Sequence, residues 1–439
     1  MLDKRTQKYA DTFAELIRMD TTSYDEQTDK TAFYQFHKLL REKFPHIFEA
    51  VEYEDFSGSF LLKWKGKGDQ APILLMNHHD VVAATGEWRF PAFSGEIADG
   101  KIWGRGTLDD KGGLWAMLQA ADELAMEGFV PNRDIYFMST CTEEQTGLGA
   151  DIISAALKER GIRFDMVLDE GGMIVYEPIA GAVGTYAMVG VGEKGCVDLK
   201  FTAHSEGGHA STPNSNTPLV RLGKFMAEVD NGKQFKSEVS PTVYTMFNRI
   251  SRGTKGPVKF LLRNAKLFKG LLSVVVPKIS VAAGAMLKTT IAFTMCSGST
   301  ESNVLPESAW VIGNMRYSHH QGSKDSIRVI SEIAKKYDIE TEVVGNVFDS
   351  PISDTQSYAF KTVEKAIERI FPDTVTTPYI MTGASDSRFL SRVCDNCIRF
   401  SPFTIDNEQL DSVHAINENL DLSCLAPAVD FYRLIITEA

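Results

Sequence analysis

Cysteine is scarce in this 439-residue chain: six residues, at 141, 196, 296, 394, 397 and 424, with none of the dense spacing of a secreted disulfide scaffold. Cys394-Asp-Asn-Cys397 has the CxxC form, but no second CxxC or histidine pair accompanies it, so it reads as two thiols in a turn. Long uncharged apolar runs are also missing. The N-terminal MLDKRTQKYADTFAELIRMD has no signal core, and the most hydrophobic stretch, 260–276, is interrupted by Arg263, Lys266 and Lys269. Positive charge is in deficit, 46 Lys+Arg against 58 Asp+Glu for a net −12. That balance disfavours nucleic acid and anionic membrane as partners, and a soluble cytoplasmic protein is the expectation.

What is present is enough apolar residue, 43%, to build more than one core, and the length predicts two domains. Helical stripes at Tyr9, Phe13, Leu16, Ile17 and at Phe33, Phe36, Leu40, Phe44 precede strand-like runs at 73–76 and 134–138. A helix bearing Leu114, Met117, Leu118, Ala121 and Ala125 separates those runs. Helices between short buried strands predict an α/β layer. Near residue 195 the pattern changes: CVDLKFTA and SAWVIGNMRYS alternate as half-buried strands, with amphipathic helices around 218–226 and 327–337. The expectation is an inserted α+β domain over 195–346, with the first domain formed by 1–194 and 347–439. Residues 232–288, basic and broken by Pro257 and Pro277, read as an irregular loop elaborating the small domain, with contact to a membrane surface as the alternative.

Four acidic or histidine-bearing stretches follow apolar runs in order. In ILLMNHHDVV, strand parity turns His78 and Asp80 one way and His79 the other. A metal-bound imidazole commonly has a supporting carboxylate, which suits His78 as ligand and Asp80 as its support. GRGTLDDKGG places Asp109 and Asp110 at a helix start, a common place for acids. TEEQTGLGA sets Glu143 beside Glu144, and burying both is costly without a cation or a proton. MVLDEGG ends another strand with Asp169 and Glu170. Mixed nitrogen and oxygen donors suit zinc or another divalent transition ion.

The motifs NHHDVV, GRGTLDDKGG, TEEQTGLGA, LDEGG, GGHASTP, STESNVLP, GASDSRF and VHAINE occur in the order and spacing of a known family. The whole chain resembles the two-zinc metallopeptidases that include glutamate carboxypeptidase, acetylornithine deacetylase, succinyl-diaminopimelate desuccinylase and aminoacylase. It is most similar to their carboxypeptidase S branch, which also holds N-acyl-amino-acid hydrolases. The resemblance implies a mixed sheet flanked by helices with an inserted lid and dimerisation domain. It implies two divalent ions per chain, zinc with manganese or cobalt as substitutes. His78 would hold one ion, Asp109 would bridge, Glu144 and His414 would hold the other, and either Asp169 or Glu170 would be the fifth ligand. Glu143 would be the general base, with Asp80 steadying the metal-site histidine. His209 and Asn303 would reach a neighbouring subunit's site in a homodimer, Arg316 would clamp the substrate carboxylate, and Gly383 would line the substrate. The chain departs from the family at Ala83, Ala384 and Asn314, none a proposed ligand. The implied activity is hydrolysis of a peptide or N-acyl amino acid with a free carboxylate; the alternatives are a dipeptidase, another deacylase, or a non-catalytic metal-binding scaffold.

Overall fold

The computed structural model describes residues 3–25, 29–179, 181–279 and 281–439. Helices α1 (Lys4–Ile17), α2 (Thr31–Lys43) and α3 (Pro45–Ala50) lead into strands β1 (Val51–Phe56), β2 (Ser59–Trp64) and β3 (Ile73–His78). After β4 (Glu96–Ala98) and β5 (Lys101–Trp103) come α4 (Lys111–Met126), β6 (Ile135–Thr140), α5 (Leu148–Glu159), β7 (Met166–Tyr176) and β8 (Thr185–Glu193). The middle of the chain supplies β9 (Gly195–His204), β10 (Gly208–His209), α6 (Pro218–Asp230), α7 (Pro241–Ile250), α8 (Gly256–Arg263), α9 (Lys269–Ile279) and α10 (Val281–Leu287). Next are β11 (Thr290–Ser297), β12 (Val304–Leu305), β13 (Ser308–Tyr317), α11 (Gly322–Lys336) and β14 (Glu340–Phe348). The C-terminal part is α12 (Tyr358–Ile370), β15 (Thr374–Met381), α13 (Ser387–Leu390), β16 (Cys397–Ile405), α14 (Asn407–Ser412), β17 (Asn419–Asp421) and α15 (Leu425–Glu438).

An eight-stranded mixed sheet runs β1-β2-β6-β3-β7-β16-β8-β15, with β3 parallel to both β6 and β7, and β16 parallel to β7. Every residue of β3 and of β6 is buried, as expected for strands covered on both faces. Helices α1, α4, α12 and α15 cover one face; Phe13, Trp115, Phe360 and Phe431 are fully buried in the core they share with it. Four antiparallel strands, β11-β13-β9-β14, form a second sheet. Along β9, Val197, Leu199, Phe201 and Ala203 face inward against α6 and α11, while the residues between them are half-buried, the alternation the sequence predicts. No helix among the described residues is long and apolar enough to cross a membrane.

Residues 232–288 depart from the expected irregular loop. They form α7 to α10: α7 packs on β15 of the large sheet, α8 on α7 and α9 on α10, and Val243, Met246, Phe247, Ile250 and Leu272 share one buried cluster with Tyr186, Ala182 and partly buried Val375 and Tyr379. The prolines are the reason the sequence misleads: Pro241 and Pro257 occupy the first turns of α7 and α8, where the missing N–H costs nothing, so they start helices as well as break them. Pro277 lies near the end of α9, and Gly284 of α10 lies so close that an added Cβ would sit 2.7 Å from the Pro277 Cα.

Candidate active site

The carboxyl ends of parallel strands in an α/β sheet leave an open crevice, and here the acidic motifs meet in it. His78 ends β3 opposite Thr140, the last residue of β6, so Glu143 and Glu144 follow β6 directly into the neighbourhood of His78. Asp169 and Glu170 lie within β7 on the other side, and the loop before α4 brings Asp109 across. Gly113 lets α4 begin tight against this cluster, since a Cβ there would fall 2.2 Å from Asn77 Oδ1 and 2.5 Å from Asp110 Oδ1. The Asp109–Asp110 peptide is cis.

Asp109 stands at the centre. Its Oδ1 lies 2.9 Å from His78 Nε2 and its Oδ2 lies 2.9 Å from His414 Nε2. Glu170 Oε1 is 3.9 Å from His78 Nε2, and Glu144 Oε2 is 3.0 Å from His414 Nε2. Two groups that could each hold a cation therefore share one carboxylate: His78, Asp109, Glu170 and Asp109, Glu144, His414. His414 takes up its position with a left-handed φ of 61°, an uncommon conformation for a side-chain-bearing residue. Of the two adjacent acids in β7, Glu170 joins the cluster. Asp169 is instead buried behind it, accepting the Ser387 N–H at 2.8 Å and tying down the 385–387 turn.

Burial pushes the carboxyls of Glu143, Glu170 and Asp110 well above their ordinary range, with neighbouring acids adding to it against the pull of His78. Burial and the charge of Asp169 push Asp386 up to about 7, against the hydrogen bond that Thr140 Oγ1 donates to it. His414, hydrogen-bonded by Asp109 and Glu144, is raised to about 10. Crowding this much negative charge away from water is unfavourable unless positive charge joins it. Glu144 Oε1 and Asp110 Oδ1 are buried without a hydrogen-bond partner among the described residues. Such orphaned acceptors in a mixed carboxylate and imidazole set fit a pair of divalent cations.

Asp80 lies just past the end of β3, so strand parity alone does not explain its place. Its backbone carbonyl is 2.9 Å from His78 Nδ1, and its carboxylate accepts the N–H groups of Glu143 and Glu144 at 3.3 and 3.2 Å. One residue thereby orients a cluster histidine and fixes both glutamates. Ser23 Oγ donates to the same carboxylate at 2.8 Å, a partner from the loop after α1 that no local sequence pattern signals. His79 faces the opposite way, buried between Phe36 and Phe60 and close to Ser139 Oγ at 2.8 Å and Gly58 O at 3.0 Å.

Glu418 also went unassigned in the sequence, although it ends the VHAINE motif. Its carboxylate is wholly buried, receives Arg105 Nη1 at 2.7 Å and accepts the N–H groups of Gly106, Leu108 and Asp109. It thus sets the loop that carries the central aspartate. Glu418→Ala leaves the Arg105 guanidinium buried and unpaired and is expected to destabilise the protein by about 3–5 kcal/mol. Urea unfolding measures this, and a loss under about 1 kcal/mol, the scale of an exposed pair, would show the pair to be peripheral.

A cavity of about 680 Å³ opens from the cluster, lined at one end by Asp109, Glu143, Glu170 and His414 and along its walls by Met173, Val175, Met188, Tyr379 and Ile405. Gly383 lines it too, and Met286 reaches it from α10. Most of the exposed lining is apolar. His209, Asn303 and Arg316 are not among the lining residues. His209 and Asn303 are exposed beside the short β10–β12 pair, where the Asn303 carbonyl accepts the Ala210 N–H. His209 Nδ1 accepts the Ser211 N–H at 3.1 Å. Arg316, on β13, donates to Asn314 Oδ1 and lies near buried Lys194, whose ammonium is lowered to about 7 by burial and by Arg316 and Lys288. Lys194 N–H donates to Met381 O, so this cationic patch borders the cavity wall.

Residues 74–438 match the profile of peptidase family M20/M25/M40. The chain is 31% identical to a probable carboxypeptidase S-like protein 2 of Dictyostelium discoideum, covering 97% of this chain and 83% of that one. It is 29% identical to the N-fatty-acyl-amino acid synthase/hydrolase of Homo sapiens, covering 96% and 86%. Among solved structures, a metallo-carboxypeptidase of the M20 family from Sulfolobus solfataricus superposes with a TM-score of 0.71 over 99% of both chains at 17% identity.

Proposed function

This chain belongs to peptidase family M20/M25/M40 and is a metal-dependent hydrolase of amide bonds, and we propose that its substrate is an N-acyl amino acid with a long apolar acyl chain. Asp109 carries the hydrolytic reading: one oxygen of its carboxylate faces each of two imidazoles, with Glu170 and Glu144 completing two cation-binding groups. Two divalent ions, zinc or a substitute, would be held by His78, Asp109 and Glu170 and by Asp109, Glu144 and His414. Bound there, they would supply Lewis acidity toward the scissile carbonyl and the attacking water.

The remaining roles fall to the chain itself. Glu143 opens on the cavity beside the cluster, close enough to take a proton from the attacking water and return it to the departing nitrogen. Asp80 holds Glu143 in place through its backbone and holds His78 through its carbonyl. Arg316, with the cationic patch around Lys194, is assigned the substrate carboxylate, and Gly383 the wall beside the reacting group. His209 and Asn303 stand away from their own chain's cavity, which supports a homodimer in which they complete the partner's site and His209 donates to the carbonyl oxygen as charge develops there. The division into a 1–194 and 347–439 catalytic unit with a 195–346 insert goes with this reading.

The acyl assignment rests on the cavity. An apolar wall reaching from the cluster to Met286 has nothing to offer a short polar peptide. The protein supplied with zinc, manganese or cobalt is expected to release amine fastest from long-chain N-acyl amino acids, more slowly from N-acetyl amino acids and dipeptides. Met286→Trp fills part of the space and should lower kcat/KM for the long-chain substrates by roughly 10- to 200-fold while sparing the N-acetyl ones. A preference for dipeptides, or indifference to chain length in both proteins, would overturn the acyl assignment and leave the hydrolase standing.

A further inference from the structure

Between Glu238 and Glu301 the sequence has no acidic residue but nine lysines and arginines, in a chain whose net charge is −12. Of these, Lys255, Lys259, Arg263, Lys266, Lys269 and Lys278 are exposed, and none forms an ion pair among the described residues. The same segment exposes large apolar side chains. Leu267, 81% exposed in the turn between α8 and α9, is followed on α9 by exposed Leu271 and Val274, and Val281 is 87% exposed at the start of α10. Phe260 of α8 is itself 62% exposed and rests its ring 5.7 Å from that of Phe268, just ahead of α9, so the apolar residues of the two helices adjoin. Leu262 of α8, Leu272 of α9 and Ala265 between them are buried in the cluster that α7 forms on the large sheet, with α8 packed on α7 and α9 on α10.

From this geometry we infer that α8 and α9 dock the enzyme on an anionic lipid bilayer. Scattered exposed apolar residues are ordinary, but contiguous ones ringed by unpaired cations on a well-anchored helix pair are the makings of an interfacial surface. Its charge is complementary to acidic headgroups and opposite to that of the protein as a whole, which is why the overall composition conceals it. The surface is also continuous with the cavity: α10 begins at exposed Val281 and one turn later places Met286 in the cavity lining. A long-chain substrate dissolved in the bilayer would pass along α10 into the site. That delivery rests on the acyl reading above; the docking does not.

The test is co-sedimentation of the metal-loaded full chain with vesicles of phosphatidylcholine, with and without phosphatidylserine. Binding is expected only with phosphatidylserine and should weaken as salt is raised. The triple variant Lys259→Gln, Arg263→Gln, Lys269→Gln should lose roughly a hundredfold in partitioning, and Leu267→Ser, Leu271→Ser, Val274→Ser should lose binding as well. Both should hydrolyse a water-soluble N-acetyl amino acid at the parent rate, which shows them folded. Equal binding to neutral vesicles, no binding to acidic ones, or unchanged binding in either variant overturns the docking. If sedimentation falls but hydrolysis of a vesicle-borne long-chain substrate does not, docking holds and delivery is overturned.

Discussion

Replacing Asp109 with alanine is expected to strip both cations at once and abolish turnover. The carboxylate serves both histidines, so its loss removes a donor from each group and leaves His78, Glu170, Glu144 and His414 without the charge that joins them. Changing an outer partner of a metal ligand typically costs 10- to 100-fold in affinity, and losing a shared ligand should exceed that range. Metal analysis of the dialysed protein checks it directly. Removing Glu170 instead should weaken one ion far more than the other, because only the His78 group contains it. An Asp109→Ala protein that keeps its full metal complement would sink the bridging assignment, whatever its activity.

The second large effect separates two neighbouring glutamates. Glu143→Gln preserves size and the N–H contact with Asp80 while removing the proton acceptor, so metals should stay bound and turnover should fall by roughly 10²- to 10⁴-fold. Glu144→Gln should lose metal too, since Glu144 faces His414 across the cluster. His209→Ala is expected to be nearly inactive with metals in place, because its histidine would serve the partner. Mixing His209→Ala with Glu143→Gln subunits should then restore activity, as a heterodimer holds one site with both groups intact. Verified subunit exchange without recovered activity would place His209 outside the composite site, and equal metal loss in the two glutamine variants would end the division between them.

The gathering of His78, Asp109 and Glu144 is legible because each motif carries its own marker, an apolar strand running into acids or glycines before a helix start, while His414 joins them only through the resemblance of VHAINE to the family's motif. Parallel strands then deliver their carboxyl ends to one edge, so order in the sequence becomes proximity in space. Glu170 could not be told from Asp169, because adjacent residues in a strand point to opposite sides and only the surrounding chain decides which side holds the cluster. Ser387 decides it, by donating its N–H to Asp169 from more than two hundred positions away. Glu418 was illegible for the same reason, since its partners at 105–109 lie about three hundred residues earlier. The helices over 241–287 are hidden in the sequence because proline marks breaks as well as helix starts, and because their apolar residues gain a partner only in the cluster with Tyr186 and Tyr379 of the large sheet.

The strand order of the large sheet also dictates when the enzyme can come into being. β16, from residues 397–405, is inserted between β7 and β8, strands made much earlier that pair directly only over 174–176 and 185–187, and α15 packs on α4. A nascent chain on the ribosome therefore holds a gap in its central sheet, with the stretches of β7 and β8 that receive β16 left open, until residues 397–405 have been synthesised. Loop closure over such separations is slow, and during it these buried-type strands are exposed to other chains. Hydrolytic competence thus waits on the synthesis of β16, and the stretches of β7 and β8 that receive it are the segments a chaperone would have to shield in the interval.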